Sequence, residues 1–341
     1  MNFSITGKVR RACELIAPGK VVILMYHRVS ESGPDPWWLS VTPKHFSEHL
    51  DVLRRYASPM SLGQLTSSKL GRRLSRKGVV ITLDDGYADN LEMAAPLLRQ
   101  HDVPATVFVT TSAIGNPHGF WWDELADILL LPGELPDTLH LSIRGHDYQW
   151  PLGTSAQYTQ NEYQRDRSWK AEHEAPPTAR HAAYSAIWKL LQPLSNDEQR
   201  QALDALSEHA GRSFRPRPVH RTLSESDVAA LGRDGLIEVG SHSVTHPPLP
   251  VLPADLQRRE AVDSKTSLER ILGKPVTSFS YPHGQVSDAT VTIVREAGFR
   301  RACTSYARLV RPRTDDFQLP RIEIKDCDGD QFASRLARVF A

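Results

Sequence analysis

Two short segments combine side chains that bind metals with side chains that accept protons. Asp84 and Asp85 are adjacent carboxylates, and His242 and His246 are imidazoles separated by three residues. Two imidazoles and one carboxylate form a ligand set that suits zinc or another divalent ion and leaves positions for water and substrate. The second carboxylate can then accept a proton from the attacking water. The pattern predicts a catalytic metal site.

Two further segments carry candidate residues at the ends of apolar runs. Tyr26 and His27 end the first such run, and Tyr281, Pro282 and His283 follow another. Each segment has an ordinary structural explanation, because Asp-Asp-Gly is a common turn sequence and a histidine on an apolar strand is usually a hydrogen-bonded core residue. The joint occurrence of all four segments at predicted strand ends favours a functional site.

These segments belong to an alternation of strands and helices. Apolar, β-branched runs typical of buried parallel strands alternate with amphipathic helical patterns. The predicted strands are 21–29, 79–83, 105–110, 236–241, 277–281, 300–304 and 319–324. The alternation predicts a parallel sheet covered by helices, either closed into a barrel or open and doubly wound. In both architectures functional groups gather at the carboxyl ends of the strands.

The alternation is interrupted in the middle of the chain. Residues 112–222 are rich in Pro, Gly, Trp and His, with helical patterns only near 182–192 and 196–210. Because the candidate motifs lie on both sides, neither flank could bind the metal alone. We predict one discontinuous domain, 21–111 plus 223–341, and a mainly helical insertion that acts as a lid or substrate-selecting subdomain.

Composition excludes several classes of protein. Lys and Arg total 41 against 40 Asp and Glu, so the net charge of +1 does not favour nucleic acid as a partner. The three cysteines are isolated, which argues against a disulfide framework or a thiolate zinc site. No apolar run approaches the roughly 20 residues that cross a bilayer. Charged residues and a proline also interrupt any signal-peptide core near the N-terminus. We predict a cytoplasmic protein that contacts membranes only through its substrate.

Three motifs resemble those of a known family. The segments TLDDGY at 82–87, GSHSVTHPPL at 240–249 and FSYPHG at 279–284 are similar, in order and context, to the leading motifs of the polysaccharide deacetylases, carbohydrate esterase family four. This resemblance to the NodB homology domain implies an α/β fold, a distorted (β/α)7 TIM-like barrel. It also implies a hydrolase that removes N-acetyl groups from an amino sugar, a polysaccharide or a precursor and releases acetate. The implied cofactor is one divalent ion, Zn²⁺ first, with Co²⁺, Ni²⁺ or Mn²⁺ as alternatives.

The resemblance also assigns roles to residues. Asp84 matches the catalytic base, and Asp85, His242 and His246 match the metal ligands. The first strand ends in Leu-Met-Tyr-His, which resembles members with a circularly permuted barrel whose acid histidine lies on that strand. His27 is thereby the expected general acid.

The third motif departs from the family pattern. Ser280 stands where the family often has an arginine that steadies the base, and His283 stands where it has a tyrosine. Arg321, at another predicted strand end, is a candidate replacement for that arginine. The turn of Tyr281, Pro282 and His283 is the expected source of a backbone N–H for the oxyanion.

Tryptophans near the predicted site are candidates for binding sugar rings. Trp37 and Trp38 follow the first strand, and Trp121 and Trp122 open the insertion. Indole faces stack on sugars, but they also pack subdomain cores. The expected partner is an N-acetylated sugar or glycan. Two alternatives stay open, a related metal-dependent amide hydrolase with a non-sugar substrate and a carbohydrate-binding barrel that has lost turnover.

Overall fold

The computed structural model describes residues 20–31, 33–67, 77–212 and 216–340. The predicted absence of a signal segment concerns residues 1–19, which lie outside these ranges. No helix within them is long and apolar enough to cross a membrane.

The chain forms two compact units. The first contains residues up to 31, 40–115 and those from 222 onward, and the second contains 32–39 and 116–221. The sequence-based boundaries placed 32–39 with the barrel. The structure groups this segment with the second unit, where the carbonyl of Pro36 accepts a hydrogen bond of 2.8 Å from the Ala171 N–H.

The regular elements are numbered in chain order. The strands are β1 (Val21–Tyr26), β2 (Arg28–Val29), β3 (Ser40–Val41), β4 (Ser58–Pro59), β5 (Gly78–Leu83), β6 (Ala105–Val109), β7 (Gly133–Glu134), β8 (Thr138–Ile143), β9 (His146–Pro151), β10 (Gln157–Tyr158), β11 (Ile237–Ser241), β12 (Ser278–Ser280), β13 (Arg301–Cys303) and β14 (Ile322–Glu323). The helices are α1 (Pro43–Tyr56), α2 (Leu62–Ser67), α3 (Ala95–Gln100), α4 (Trp121–Leu130), α5 (Gln160–Asp166), α6 (Ala179–Leu191), α7 (Asn196–His209), α8 (Glu225–Leu231), α9 (Ala254–Leu272), α10 (Asp288–Glu296) and α11 (Gly329–Phe340).

A parallel barrel forms the first unit. Its strand order is β13-β12-β11-β6-β5-β1-β14, with β4 beside β5. The segment that leads into β14 closes the ring, because Leu319 bridges Cys303 of β13 while Ile322 pairs with Leu24 of β1. The Thr304 N–H donates to the Leu319 carbonyl at 2.8 Å across this closure. The expected (β/α)7 barrel is confirmed, whereas hydrophobic periodicity alone had left an open sheet as an alternative.

Strands β1 and β5 form the longest pairing in this sheet. They pair along six residues each, and every one of these residues is buried. Their sequences, VVILMY and GVVITL, are apolar on both faces because one face fills the barrel and the other packs under helices. Two hydroxyls are the polar exceptions: that of Thr82 donates to the Leu24 carbonyl at 3.0 Å, and that of Tyr26 lies 3.2 Å from His49 Nδ1.

Two barrel elements differ from the sequence prediction at their ends. The predicted strand 21–29 is interrupted at His27, which separates β1 from β2. The residue pattern over 88–101 predicts one helix, but this segment begins with a π-helical turn, Asn90–Ala94, before α3. Both irregularities lie beside the candidate site, where π turns are often found.

The second unit has its own apolar core. Helices α6 and α7 pack against the antiparallel hairpin of β8 and β9, and α4 packs against α6 and α7. The sequence analysis predicted helices here and missed the hairpin. Its signals are the buried alternation of Leu139, Leu141 and Ile143 and the turn at Arg144 and Gly145, whose φ angles are 51° and 79°.

Candidate active site

The predicted site residues lie at the carboxyl ends of the barrel strands. Asp84 and Asp85 follow β5, His242 follows β11, and the 281–284 turn follows β12. His27 lies at the end of β1. Parallel neighbours β5, β6, β11 and β12 present these ends on one edge. The barrel topology therefore brings together segments that are up to about 250 residues apart in the chain.

Asp85, His242 and His246 form a potential metal centre. One ligand atom from each lies within 4.8 Å of the other two. The Asp85 Oδ1 atom is 3.6 Å from His242 Nε2 and 3.4 Å from His246 Nε2. One carboxylate oxygen and two imidazole nitrogens are donors that zinc and similar divalent ions bind. The residues present thus fit the metal that the family resemblance implies.

The orientation of His242 suits it to metal binding. Its Nδ1 lies 2.8 Å from the carbonyl of Ser280, so Nδ1 carries the hydrogen and Nε2 is left with its lone pair facing Asp85. Burial lowers the pKa of His242 to about 4, despite the opposing effect of Asp84. Burial likewise lowers the pKa of His246. Both rings are therefore neutral at physiological pH, which is the form that binds metal.

The backbone is turned sharply at the ligands. The φ angles are 76° at Asp85, 59° at His246 and 66° at Ser243, in the left-handed region that asparagine, aspartate and histidine tolerate best among non-glycine residues. The His246 N–H donates to the Ser243 hydroxyl at 3.0 Å, and the Asp85 carbonyl accepts from the Thr110 N–H at 3.1 Å. Strained backbone of this kind clusters at functional sites.

Glu260 holds the loop between the two histidine ligands. Its carboxylate accepts hydrogen bonds from the Val244 N–H at 2.8 Å and from Thr245 through both its N–H, at 2.9 Å, and its hydroxyl, at 2.7 Å. Sequence analysis did not identify Glu260. It lies on α9, where one glutamate among several charged helix residues gives no local signal.

Arg321 is bound to the candidate base. Its Nη1 lies 2.6 Å from Asp84 Oδ1 and its Nη2 lies 2.7 Å from Asp84 Oδ2, and both residues are buried. Burial alone would raise the pKa of Asp84, but Arg321 and His242 outweigh burial and lower this pKa to about 2. Asp84 is therefore an ionised carboxylate at neutral pH.

Ser280 makes room for this arrangement. Its hydroxyl accepts from Arg321 Nη2 at 2.8 Å and lies 3.3 Å from Asp84 Oδ2. The Arg321 Nε also donates to the Thr304 carbonyl at 2.9 Å. A small side chain at 280 thus accompanies an arginine that reaches the base from the β14 side of the barrel.

His27 lies at the edge of the same site. Its Nδ1 is 3.9 Å from Glu323 Oε1, which in turn accepts from Lys325 at 2.6 Å. Burial lowers the pKa of His27, and the carboxylates of Glu323 and Asp84 oppose this shift. Its ring is 16% exposed, which leaves it partly open to solvent.

The 281–284 turn contains three candidates with different surroundings. Tyr281 is fully buried and donates its hydroxyl hydrogen to the Phe317 carbonyl at 3.0 Å, and Pro282 is also buried. His283 has a φ of 55°, and its ring centroid is 4.6 Å from that of His246. Unlike Tyr281 and Pro282, His283 is exposed. His283 is thus the member of the turn whose side chain borders the metal ligands.

The tryptophans lie in the second unit. Trp37 donates to the Tyr184 hydroxyl at 2.8 Å and packs on Trp188, with 4.3 Å between ring centroids. Trp38 carries the Lys170 ammonium 4.8 Å from its ring centroid. Trp122 is buried against Phe120. Packing of the second unit explains the positions of Trp37 and Trp122, and a role in sugar binding stays a prediction.

Known proteins are similar to this chain in sequence. The family model described as Polysaccharide deacetylase matches residues 71–168 and 201–302. Protein YxkH of Bacillus subtilis (strain 168) is 32% identical over 113 residues, which are 33% of this chain and 39% of YxkH. A poly-β-1,6-N-acetyl-D-glucosamine N-deacetylase of Escherichia coli (strain K12) is 30% identical over 108 residues, 31% of this chain and 15% of that protein. The chain thus spans less than half the length of these curated relatives.

Solved structures resemble most of the chain in fold. The Streptococcus pyogenes deacetylase PplD superposes with a TM-score of 0.52 at 17% identity, covering 95% of this chain and 100% of PplD. IcaB from Ammonifex degensii superposes with a TM-score of 0.54 at 16% identity, covering 95% of this chain and 98% of IcaB. These likenesses establish the fold. Because the family model spans more than half of the residues and includes the strand-end motifs, the chain belongs to the polysaccharide deacetylase family.

Proposed function

We propose that this protein is a metal-dependent hydrolase that removes N-acetyl groups from an amino sugar within a polysaccharide or its precursor. One observation carries the proposal. An ionised, buried carboxylate, Asp84, is adjacent in sequence to Asp85 of the three-ligand cluster, and an arginine holds it in place. A hydrolase of this type needs a metal ion and a base at one locus.

The ligand set would be Asp85, His242 and His246, with Zn²⁺ as the preferred ion. When bound, such an ion lowers the pKa of coordinated water and polarises the acetamide carbonyl. Neutral imidazoles and an ionised carboxylate supply the donors at physiological pH, since burial lowers the pKa of both histidines.

Asp84 would act as the general base. Its Oδ2 lies 3.8 Å from His242 Nε2, which puts the carboxylate beside the ligand cluster without its being one of the three clustered donors. Arg321 fixes both carboxylate oxygens and so restricts Asp84 to one orientation. The proton that leaves the attacking water would pass to Asp84.

His27 would act as the general acid. Cleavage of an acetamide expels an amine, and this poor leaving group departs readily only once its nitrogen is protonated. His27 comes from a different strand from Asp84, so the two groups could serve opposite sides of the scissile bond. Glu323, 3.9 Å away, would favour the protonated ring.

The oxyanion would be bound within the 281–284 turn. The Tyr281 N–H donates to the Cys303 carbonyl at 3.1 Å, and the Gly284 N–H donates to the Tyr281 carbonyl at 2.9 Å. Pro282 has no N–H. We therefore assign the oxyanion contact to the His283 N–H, beside the His246 ligand.

The family and the relatives support the proposed substrate class. The Escherichia coli relative is a deacetylase of poly-β-1,6-N-acetyl-D-glucosamine, and this supports an N-acetylglucosamine glycan or its precursor as the substrate here. A near-zero net charge is compatible with a glycan that is neutral before deacetylation.

The test is an acetate-release screen. Protein loaded with Zn²⁺, Co²⁺, Ni²⁺ or Mn²⁺ is incubated with free, nucleotide-linked and polymeric N-acetyl sugars, and acetate is quantified. We expect release from at least one class, and loss of release after chelation with restoration on readdition of metal. Full metal occupancy without acetate from any N-acetyl sugar would contradict the proposal.

A further inference from the structure

Resting on the function proposed above, we infer that Asn90 and Asp89 are positioning residues that hold His27 in place for protonation of the leaving amine. Neither residue belongs to the ligand set, the base or the acid. Both lie just beyond the strand-end motif of β5, on the segment that also carries Asp84 and Asp85. The inference rests on hydrogen bonds to three consecutive residues, 27–29.

Asn90 binds the backbone of His27 itself. Its Nδ2 donates to the His27 carbonyl at 2.9 Å and to Asp89 Oδ1 at 3.0 Å. Because both partners are oxygen acceptors, the amino group of the Asn90 amide must face them, and this fixes the orientation of the side chain. Asn90 is fully buried, and its Oδ1 has no hydrogen-bond partner among the described residues.

Asp89 binds the two residues that follow His27. Its Oδ2 accepts from Arg28 Nε at 3.0 Å, and its Oδ1 accepts from the Val29 N–H at 3.2 Å. The Arg28 guanidinium also lies 4.2 Å from the ring centroid of Tyr87. Arg28 and Asp89 are both buried, so water competes little for these bonds.

The same segment also holds the residue before His27. The Asp84 N–H donates to the Tyr26 carbonyl at 3.0 Å, which extends the β1–β5 pairing by one bond. His27 therefore sits in a gap between two strands, and the 84–90 segment binds the chain at 26, at 27 and at 28–29. The π-helical turn that begins at Asn90 places the amide at this gap. The backbone around the proposed acid is thus hydrogen-bonded to the segment that carries the proposed base.

Leaving-group chemistry tests this inference. An amine must be protonated to depart, whereas a 4-nitrophenolate departs from an aryl acetate without a proton. Asn90→Ala should lower kcat for an N-acetylglucosamine oligomer by about 10- to 100-fold with little change in KM, because a displacement of about 1 Å can slow an enzyme about 10²-fold. Hydrolysis of 4-nitrophenyl acetate should fall by less than about threefold, and metal content should stay at the wild-type level.

Gln257→Ala is the matched control. Gln257 is a buried amide in the same unit that donates to the Leu252 carbonyl and accepts from the Thr290 hydroxyl, both at 2.8 Å. It lies on α9 and forms no hydrogen bond to 26–29 among the described residues. Gln257→Ala should change hydrolysis of the N-acetylglucosamine oligomer and of 4-nitrophenyl acetate by the same factor. Asp89→Asn keeps the shape of the side chain. Like Asn90→Ala, it should lower acetamide turnover more than hydrolysis of 4-nitrophenyl acetate, but by a smaller factor.

The outcomes are distinct. Equal loss of both activities in Asn90→Ala, or wild-type turnover of the acetamide, would overturn the positioning role. If Asn90→Ala is poorly folded, Asp89→Asn decides by the same comparison. Wild-type protein inactive toward every acetamide would instead contradict the proposed function.

Discussion

Arg321 and Asp84 form a buried ion pair in which Nη1 donates to Oδ1 at 2.6 Å and Nη2 donates to Oδ2 at 2.7 Å. The two residues are 237 positions apart in the chain. The pair joins the β5 end to the start of β14, on opposite sides of β1 in the strand order. It therefore links the strands on both sides of β1 and stabilises the charge of the candidate base.

Replacing Arg321 should affect both stability and activity. Arg321→Met leaves the Asp84 carboxylate buried without its counter-charge, so its pKa should rise, and breaking a buried pair typically costs about 3–5 kcal/mol. Urea unfolding of metal-free protein measures the stability, and acetate release measures the activity. Arg258→Met is the control, because the exposed pair of Arg258 and Glu296 should contribute about 1 kcal/mol or less. A similar loss in both variants would argue against the role of the buried pair.

Asp84→Asn should retain the metal and lose turnover. The amide cannot accept the proton of the attacking water, so kcat should fall by at least about 10²-fold. Metal analysis and acetate release on the same preparation provide the two measurements. Near-normal turnover by metal-loaded Asp84→Asn would remove Asp84 from the role of base.

His246→Ala should lose metal and activity together. The substitution removes one of three donors, and the remaining Asp85 and His242 leave an incomplete set. Elemental analysis after gel filtration measures the bound metal. His45→Ala serves as control, since His45 pairs with Asp326 away from the cluster and should leave metal content unchanged. One full metal equivalent in His246→Ala would show that the ligand assignment is wrong.

Acid should destabilise the barrel through His49. Burial lowers the pKa of His49 from 6.5 to about 4, although its hydrogen bond to the Cys327 carbonyl opposes the shift. Between these two values the unfolded chain binds more protons than the folded one, so this stability is complete above about pH 6.5 and decreases as the pH falls toward 4. Between about pH 7.5 and about pH 5 the contribution should be up to about 2 kcal/mol.

His49→Gln provides the comparison for this pH effect. Glutamine does not titrate, so the difference in unfolding free energy between the two pH values should shrink in the variant. Urea unfolding of metal-free protein at both pH values gives that difference. An unchanged pH dependence would mean that other groups account for acid sensitivity.

Gly284 should tolerate no side chain. Its φ is 66°, and a Cβ there would lie 2.5 Å from the Cβ of Ser305. Gly115 has a similar φ of 68° but open space around it. Gly115→Ala should therefore cost only the strain of the left-handed conformation, about 1–2 kcal/mol. Gly284→Ala should cost about 1–3 kcal/mol more through overpacking. If urea unfolding shows equal losses of unfolding free energy in the two variants, the loop at Ser305 moves to accommodate the added methyl group.

The sequence by itself determined which residues were candidates for catalysis and metal binding. It also determined that strands alternate with helices. Asp-Asp-Gly and the His-Ser-Val-Thr-His segment are short, so their side chains are necessarily close together, and strand and helix periods are local patterns. These local features were sufficient to identify Asp84, Asp85, His242 and His246 as one candidate constellation. They could not choose between an open sheet and a barrel.

Only the tertiary structure decided which distant residues meet. Barrel closure through Leu319 and Ile322 depends on pairing between chain segments that no local period encodes. The same closure places Arg321 against Asp84, which the sequence could offer only as one candidate. The grouping of Trp37 with Trp188, the support of the ligand loop by Glu260 and the binding of His27 by Asn90 are also long-range contacts. Such contacts depend on three-dimensional packing, and a single sequence carries no local signal for them.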